Sequence, residues 1–123
     1  MNLNAHQTIY VITPEYTSGS QIIFRDNISP AITGKNVLIL AASVVTGYTA
    51  KSAIEAVSYY GGNVVGISSI FATQDQFMGY DVVSVFDPND LPGYSSYAPH
   101  ECPMCRAGQR LEGLVNRFGF SKI

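Results

Sequence analysis

Residues 37–71 constrain the fold more than any other part of the chain. VLILAA (37–42) is an unbroken apolar run, as expected for a strand of a parallel sheet covered on both faces. It passes through SVVTGYT into AKSAIEAVSYYGG, where Ala50, Ala53, Ile54 and Val57 recur at helical spacing. Gly61-Gly62 stops that helix, because glycine takes the left-handed conformation at a helix end at little cost. NVVGISSIF (63–71) is a second buried run. Strand, helix and strand within about thirty-five residues make a βαβ unit. Its crossover is expected to be right-handed.

The flanks are shorter pieces. QTIYVI (7–12) and SQIIFR (20–25) read as two strands, antiparallel, joined by TPEYTSG with Pro14 and Gly19 as breakers. DNISPAITGKN (26–36) is a connection, and DVVSVFD (81–87) a further strand. PNDLPGYSSYAPHECPMC is loop-rich, with four prolines. Leu111, Leu114, Val115 and Phe118 share one helical face, which predicts a helix over Ala107–Phe118 ended by Gly119. The pattern gives an α/β class with a small, mostly parallel sheet. Two parts are expected: an α/β domain over 1–98, and a C-terminal CxxC loop and helix over 99–123 packed on it.

Composition narrows the function classes. A chain of 123 residues suits one domain, burying roughly two-thirds of its unfolded surface. An apolar share of 46% argues against disorder, and a net charge of −2 offers no general basic field for nucleic acid. No apolar run approaches the roughly 20 residues that span a bilayer, and the start MNLNAHQTIY lacks a basic-then-apolar leader pattern. The two cysteines stand three positions apart, poor spacing for a disulfide framework, so the expected compartment is a reducing cytoplasm. Arg106, Arg110, Arg117 and Lys122 crowd the last eighteen positions with Glu112 opposing them: a solvated face or a partner contact.

In open α/β sheets ligands gather beyond the carboxyl ends of the strands. The turn from Ser43 to Thr49 lies at such an end and leads into a helix N-terminus, where unpaired N–H groups and the helix dipole favour an anion. Gly47 permits close backbone approach, and Thr46 and Thr49 add hydroxyls. Local pattern leaves two readings open: a cradle for a phosphate monoester, or a threonine that merely caps the helix.

The wider stretch GKNVLILAASVVTGYTAKSAIEAVSYYGGNVVGISSIF resembles the phosphoribosyltransferase family of the orotate phosphoribosyltransferase type. That family's signature is a strand, two acidic residues, two apolar positions, a Thr-Thr-Gly-x-Thr-like loop, and a helix closed by Gly-Gly or Gly-Ala. Lys35, Val37 to Leu40, Thr46, Gly47, Thr49, Gly61 and Gly62 fall where it puts them, and a looser likeness runs from about Ile9 to Asp90. The resemblance implies a phosphoribosyltransferase-like three-layer fold. It implies binding of phosphoribosyl pyrophosphate, with magnesium, and transfer of its ribose phosphate to a nitrogen base. Val45, Thr46, Gly47, Tyr48 and Thr49 inherit the contact to the 5′-phosphate.

Three departures accompany it. Ala41 and Ala42 stand where the acidic pair belongs, and a methyl group neither accepts a ribose hydroxyl's hydrogen bond nor organises magnesium. The family's earlier pyrophosphate-binding strand and loop have no counterpart, so the N-terminal part of the fold is expected to be missing. The mobile loop's basic residues are absent from TPEYTSGSQ, where Glu15 is the one charge. The expectation is an orotate phosphoribosyltransferase-like domain that binds a phosphorylated ribose with little or no activity alone. The alternatives are a non-catalytic nucleotide or sugar-phosphate sensor, and a dimeric interaction module with a vestigial pocket.

In HECPMCRAG, Cys102 and Cys105 have the spacing of two ligands to tetrahedral zinc. His100 offers a third ligand, His6 is distant in sequence, and two chains sharing one ion is another route to four. A reduced thiol pair and a redox pair are the other readings. Asp87 and Asp90 in FDPNDLPG read first as turn formers. Tyr59 and Tyr60 suit packing against the sheet or a partner subunit, and the aromatic content suits a homodimer.

Overall fold

The computed structural model describes residues 8–19, 21–98 and 100–123. The chain divides into two compact units, Met1–Pro92 and Gly93–Ile123. The first is built on β3 (Asn36–Val44), α1 (Tyr48–Tyr59), β4 (Asn63–Ala72) and β6 (Tyr80–Phe86). With β5 (Gln76–Phe77) these strands form one sheet in the order β3-β4-β6-β5. β3 pairs parallel with β4, β4 parallel with β6, and β5 antiparallel with β6. The βαβ unit is therefore present, in an α/β fold with a mostly parallel sheet.

The core lies between α1 and one face of the sheet. Ala50, Ile54 and Val57 from the helix meet Ile39, Val64, Ile67 and Val82 from the strands, and Ile32 from the connection joins them. Tyr60 closes one end. Its hydroxyl donates to the Phe24 carbonyl at 3.0 Å, and its ring stands edge-on to Phe24 at 5.4 Å. Tyr59 is exposed. Gly61 ends α1 with φ 78, a left-handed value that a β-carbon would strain.

The second face of the sheet differs from the expectation that both faces are covered. Successive strand residues point to opposite faces. Leu38 and Leu40 on β3, Ile70 on β4, and Val83 and Val85 on β6 are all exposed, Leu40 to 72%. The helical layer among the described residues of this unit lies on one side only. No helix of the described residues is long and apolar enough to cross a membrane.

Two expected elements are corrected. The antiparallel pair does not run over 7–12 and 20–25. It is shorter: β1 (Glu15–Tyr16), inside the expected loop, pairs with β2 (Ile22–Ile23), within the strand expected over 20–25. Residues 8–12 form no strand, although Ile12 packs on the core; Gln7 and Ser20 lie outside the described residues. The tight turn wins because the Thr17 N–H donates to the Gln21 carbonyl at 2.9 Å, and Glu15 pairs with Arg25 at 2.6 Å. The helix expected over Ala107–Phe118 is absent. In the second unit a short helix, α2 (Pro103–Arg106), is followed by a hairpin of β7 (Gly113–Asn116) and β8 (Gly119–Lys122). Asn116 turns the chain: its Oδ1 accepts the Phe118 N–H at 2.8 Å, the local bond that lets Asn compete with helix. Gly119, at φ 120, opens a strand rather than ending a helix.

The one-sided core gives a direct contrast. Ile67→Ala, at a side chain 1% exposed, is expected to cost about 2–5 kcal/mol. Leu40→Thr, on the open face, should stay within about 0.5 kcal/mol of the parent. Urea unfolding of both variants checks this; equal losses would mean that the second face is covered.

Candidate functional site

The loop between β3 and α1 encloses a cavity of about 100 Å³ lined by the contiguous residues 43–50. Val45, Thr46, Gly47, Tyr48 and Thr49 all contribute, so every residue expected to hold a phosphate is brought to one place. At about 30 Å³ of liquid volume per water, the space holds roughly three waters, the scale of one small anion.

Gly47 is the residue on which this geometry turns. It occupies the cap position of α1 with φ 77. A β-carbon there would lie 2.2 Å from Cε2 of Phe77. Glycine is thus required twice, by its backbone conformation and by a ring packed against it. Phe77 is held on β5, joined to β6 by a two-residue turn in which Met78 has φ 50 and Gly79 φ 81.

The structure decides between the two local readings of this loop in one respect. No side chain caps α1, so neither Thr46 nor Thr49 does. The Gly47 carbonyl accepts the Lys51 N–H at 2.8 Å, and the N–H groups ahead of Lys51 open the helix at the cavity. Such an end carries partial positive charge and favours an anion.

Sequence reasoning missed Thr73. Lying just past β4, it donates its hydroxyl to the Val45 carbonyl at 3.0 Å and its N–H to the Val44 carbonyl at 3.0 Å. The end of β4 is thereby tied to the base of the loop. Nothing in the local pattern around Thr73 announces this, because its partners lie 28 and 29 positions away.

Thr73 also borders a larger hollow of about 440 Å³, lined among others by Gln74, Asp75, Ser84, Asp87 and Asn89. That volume falls within the range of small-molecule pockets. Asp87 and Asp90 keep the turn role expected of them. Asp90 Oδ2 accepts the Asp87 N–H at 2.9 Å, and Asp87 Oδ1 accepts the Asn89 N–H at 2.7 Å. One polar atom stands out in the sheet: the Ser69 hydroxyl is buried without a partner among the described residues, in the row that runs Ala41, Ser69, Ser84.

Ala41 is half-buried and Ala42 exposed, both on β3 just before the cavity. Magnesium takes oxygen ligands. The two methyl groups supply none, and no cluster of three or more His, Cys, Asp or Glu gathers among the described residues. The magnesium-organising position is therefore not met at 41 and 42.

The chain is 32% identical over 80 aligned residues to the orotate phosphoribosyltransferase of Thermoanaerobacter sp. (strain X514), covering 61% of this chain and 38% of that protein. The orotate phosphoribosyltransferase of Sulfurimonas denitrificans is 30% identical over 86 residues, covering 61% and 43%. That of Caldanaerobacter subterraneus subsp. tengcongensis is 32% identical over 75 residues, covering 61% and 38%. Over that stretch the chain is similar to the orotate phosphoribosyltransferases. It spans about two-fifths of the length of these curated relatives. No family model matches it.

The C-terminal candidates lie in the other unit. Cys102 is half-exposed and Cys105 exposed, and neither is in a disulfide. Cys102 Sγ accepts the Cys105 N–H at 3.5 Å. That backbone bond, then the hydrogen bond from the Cys105 thiol, holds the Cys102 thiol below its ordinary value; the same thiol contact and the Cys102 charge push Cys105 up. His100 does not join them: its Nε2 lies 3.5 Å from Glu101 Oε1. His6 lies outside the described residues.

Two outcomes test these assignments. Thr73→Val, which keeps shape and removes the hydroxyl, should lower stability by about 1 kcal/mol in urea unfolding. Iodoacetamide should modify Cys102 at a lower pH than Cys105, because the thiolate reacts and Cys102 loses its proton first. Mass mapping after alkylation across a pH series reads the order.

Proposed function

We propose that the chain is an orotate phosphoribosyltransferase-like domain that binds a ribose 5′-phosphate group, in phosphoribosyl pyrophosphate or a nucleoside monophosphate, at Val45–Thr49. One observation carries this reading: the uncapped start of α1 opens on a phosphate-sized cavity whose glycine admits no side chain. The larger hollow beyond Thr73 offers room for the rest of such a ligand. The name shared by the relatives supports the same ligand class.

Transferase activity of this chain alone is weak or absent in this reading. A charged group that stabilises a transition state is typically worth a few kcal/mol, or about a hundredfold in rate. Ala41 and Ala42 provide no such group, whereas phosphate binding depends on neither. That asymmetry favours a second reading, a sensor that binds the nucleotide or sugar phosphate without turning it over. No chemical step is assigned to magnesium.

Calorimetry with phosphoribosyl pyrophosphate and with nucleoside monophosphates tests binding. A turnover assay with phosphoribosyl pyrophosphate, orotate and magnesium tests catalysis. Binding without turnover is the expected pair of results; robust turnover overturns the inactivity, and absence of all binding overturns the site. Thr46→Val should weaken binding about tenfold, the loss of one hydrogen bond. Gly47→Val should abolish it, since the loop cannot keep φ 77 beside Phe77. Circular dichroism melts show whether each variant remains folded.

A further inference from the structure

Residues 93–123 make a unit without a core among its described residues. None of its described residues is buried. Leu111, Leu114, Val115, Phe118, Phe120 and Ile123 are exposed, Phe118 to 83%. Chains below about 40 residues rarely bury enough apolar surface to hold a fold without a disulfide, a metal or a second copy. Both cysteines are free, so a disulfide is not what holds this one.

A separate observation concerns the sulfurs. Structural cysteines are among the most buried side chains. Cys102 and Cys105 instead lie at the surface, at the start and within the single turn of α2. The Cys105 N–H is aimed at the Cys102 sulfur. Two convergent surface sulfurs are half of a tetrahedral thiolate site, and zinc takes four such ligands. No third ligand comes from the described residues. A two-fold axis would supply the missing pair from an identical chain.

We propose that Cys102 and Cys105 from two copies of this chain hold one Zn²⁺ between them, and that their apolar hairpins pack together in the dimer so formed. Charge agrees with this. Arg106, Arg110, Arg117 and Lys122 face two carboxylates in the unit, Glu101 and Glu112, leaving each copy at +2. Four thiolates around Zn²⁺ carry −2, which offsets the repulsion between two positive units. Coordination expels the remaining thiol protons to solvent and changes no oxidation state, zinc being without redox chemistry.

The test uses the full chain, reduced and stripped with a chelator, then titrated with Zn²⁺ and in parallel with Co²⁺. Binding should saturate at about one ion per two chains, the ratio a shared four-thiolate site requires. The mass by sedimentation should double with the metal and fall back on chelation. Co²⁺ should give the intense visible bands of tetrahedral coordination with thiolate charge transfer. Cys102→Ser and Cys105→Ser should each lose metal and dimer, while far-UV circular dichroism reports the first unit still folded. One ion per monomer, a dimer indifferent to chelation and to both substitutions, or no retained zinc would each overturn the proposal.

Discussion

Because β3 and β4 run in the same direction, the chain has to travel back along the sheet between them, and α1 is that return. The helix can bury Ala50, Ile54 and Val57 only by lying flat on the strands. Its first turn is then fixed at the carboxyl end of β3. The loop joining the two has little freedom: it reverses direction within three residues, at a left-handed Gly47 under the Phe77 ring. The candidate site is a consequence of this crossover. Its donors are backbone groups that the helix cannot satisfy internally, which is why the loop tolerates so little change in shape and depends so little on charged side chains.

The same packing leaves an imbalance. The strands are apolar on both faces, yet the helix covers one. Leu38, Leu40, Ile70, Val83 and Val85 therefore face outward. The likeness to orotate phosphoribosyltransferases covers 61% of this chain and about two-fifths of theirs, so the shared region is a portion of the relatives' architecture. This chain carries the candidate loop at Val45–Thr49 and two alanines where the family pattern has acids.

Legibility in the sequence followed the range of the interactions. β3, α1, β4 and β6 were readable because each repeats a strong local pattern over seven or more residues, and Gly61 marked the helix end. The tail was misread for the converse reason. Leu111, Leu114, Val115 and Phe118 fit a helical face, but the bond from Asn116 to the Phe118 N–H and the glycines at 113 and 119 favour a hairpin. The N-terminal pair was displaced by a tight turn stabilised across Thr17 and Gln21. At the site, the loop residues themselves were legible, whereas Thr73 and Phe77 were not. Both act on the loop from about thirty positions away.

By itself the sequence determined the periodicities, the glycines and the hydroxyls: it specified a parallel βαβ unit with a loop able to meet an anion, and two alanines unable to replace a carboxylate. These are properties of single residues and near neighbours. Tertiary structure alone decided that no threonine caps α1, that Phe77 closes over Gly47, that Thr73 ties β4 to the loop, and that one face of the sheet stays open. Each of those depends on which distant backbone groups meet once the sheet has formed, and no local pattern encodes such a meeting.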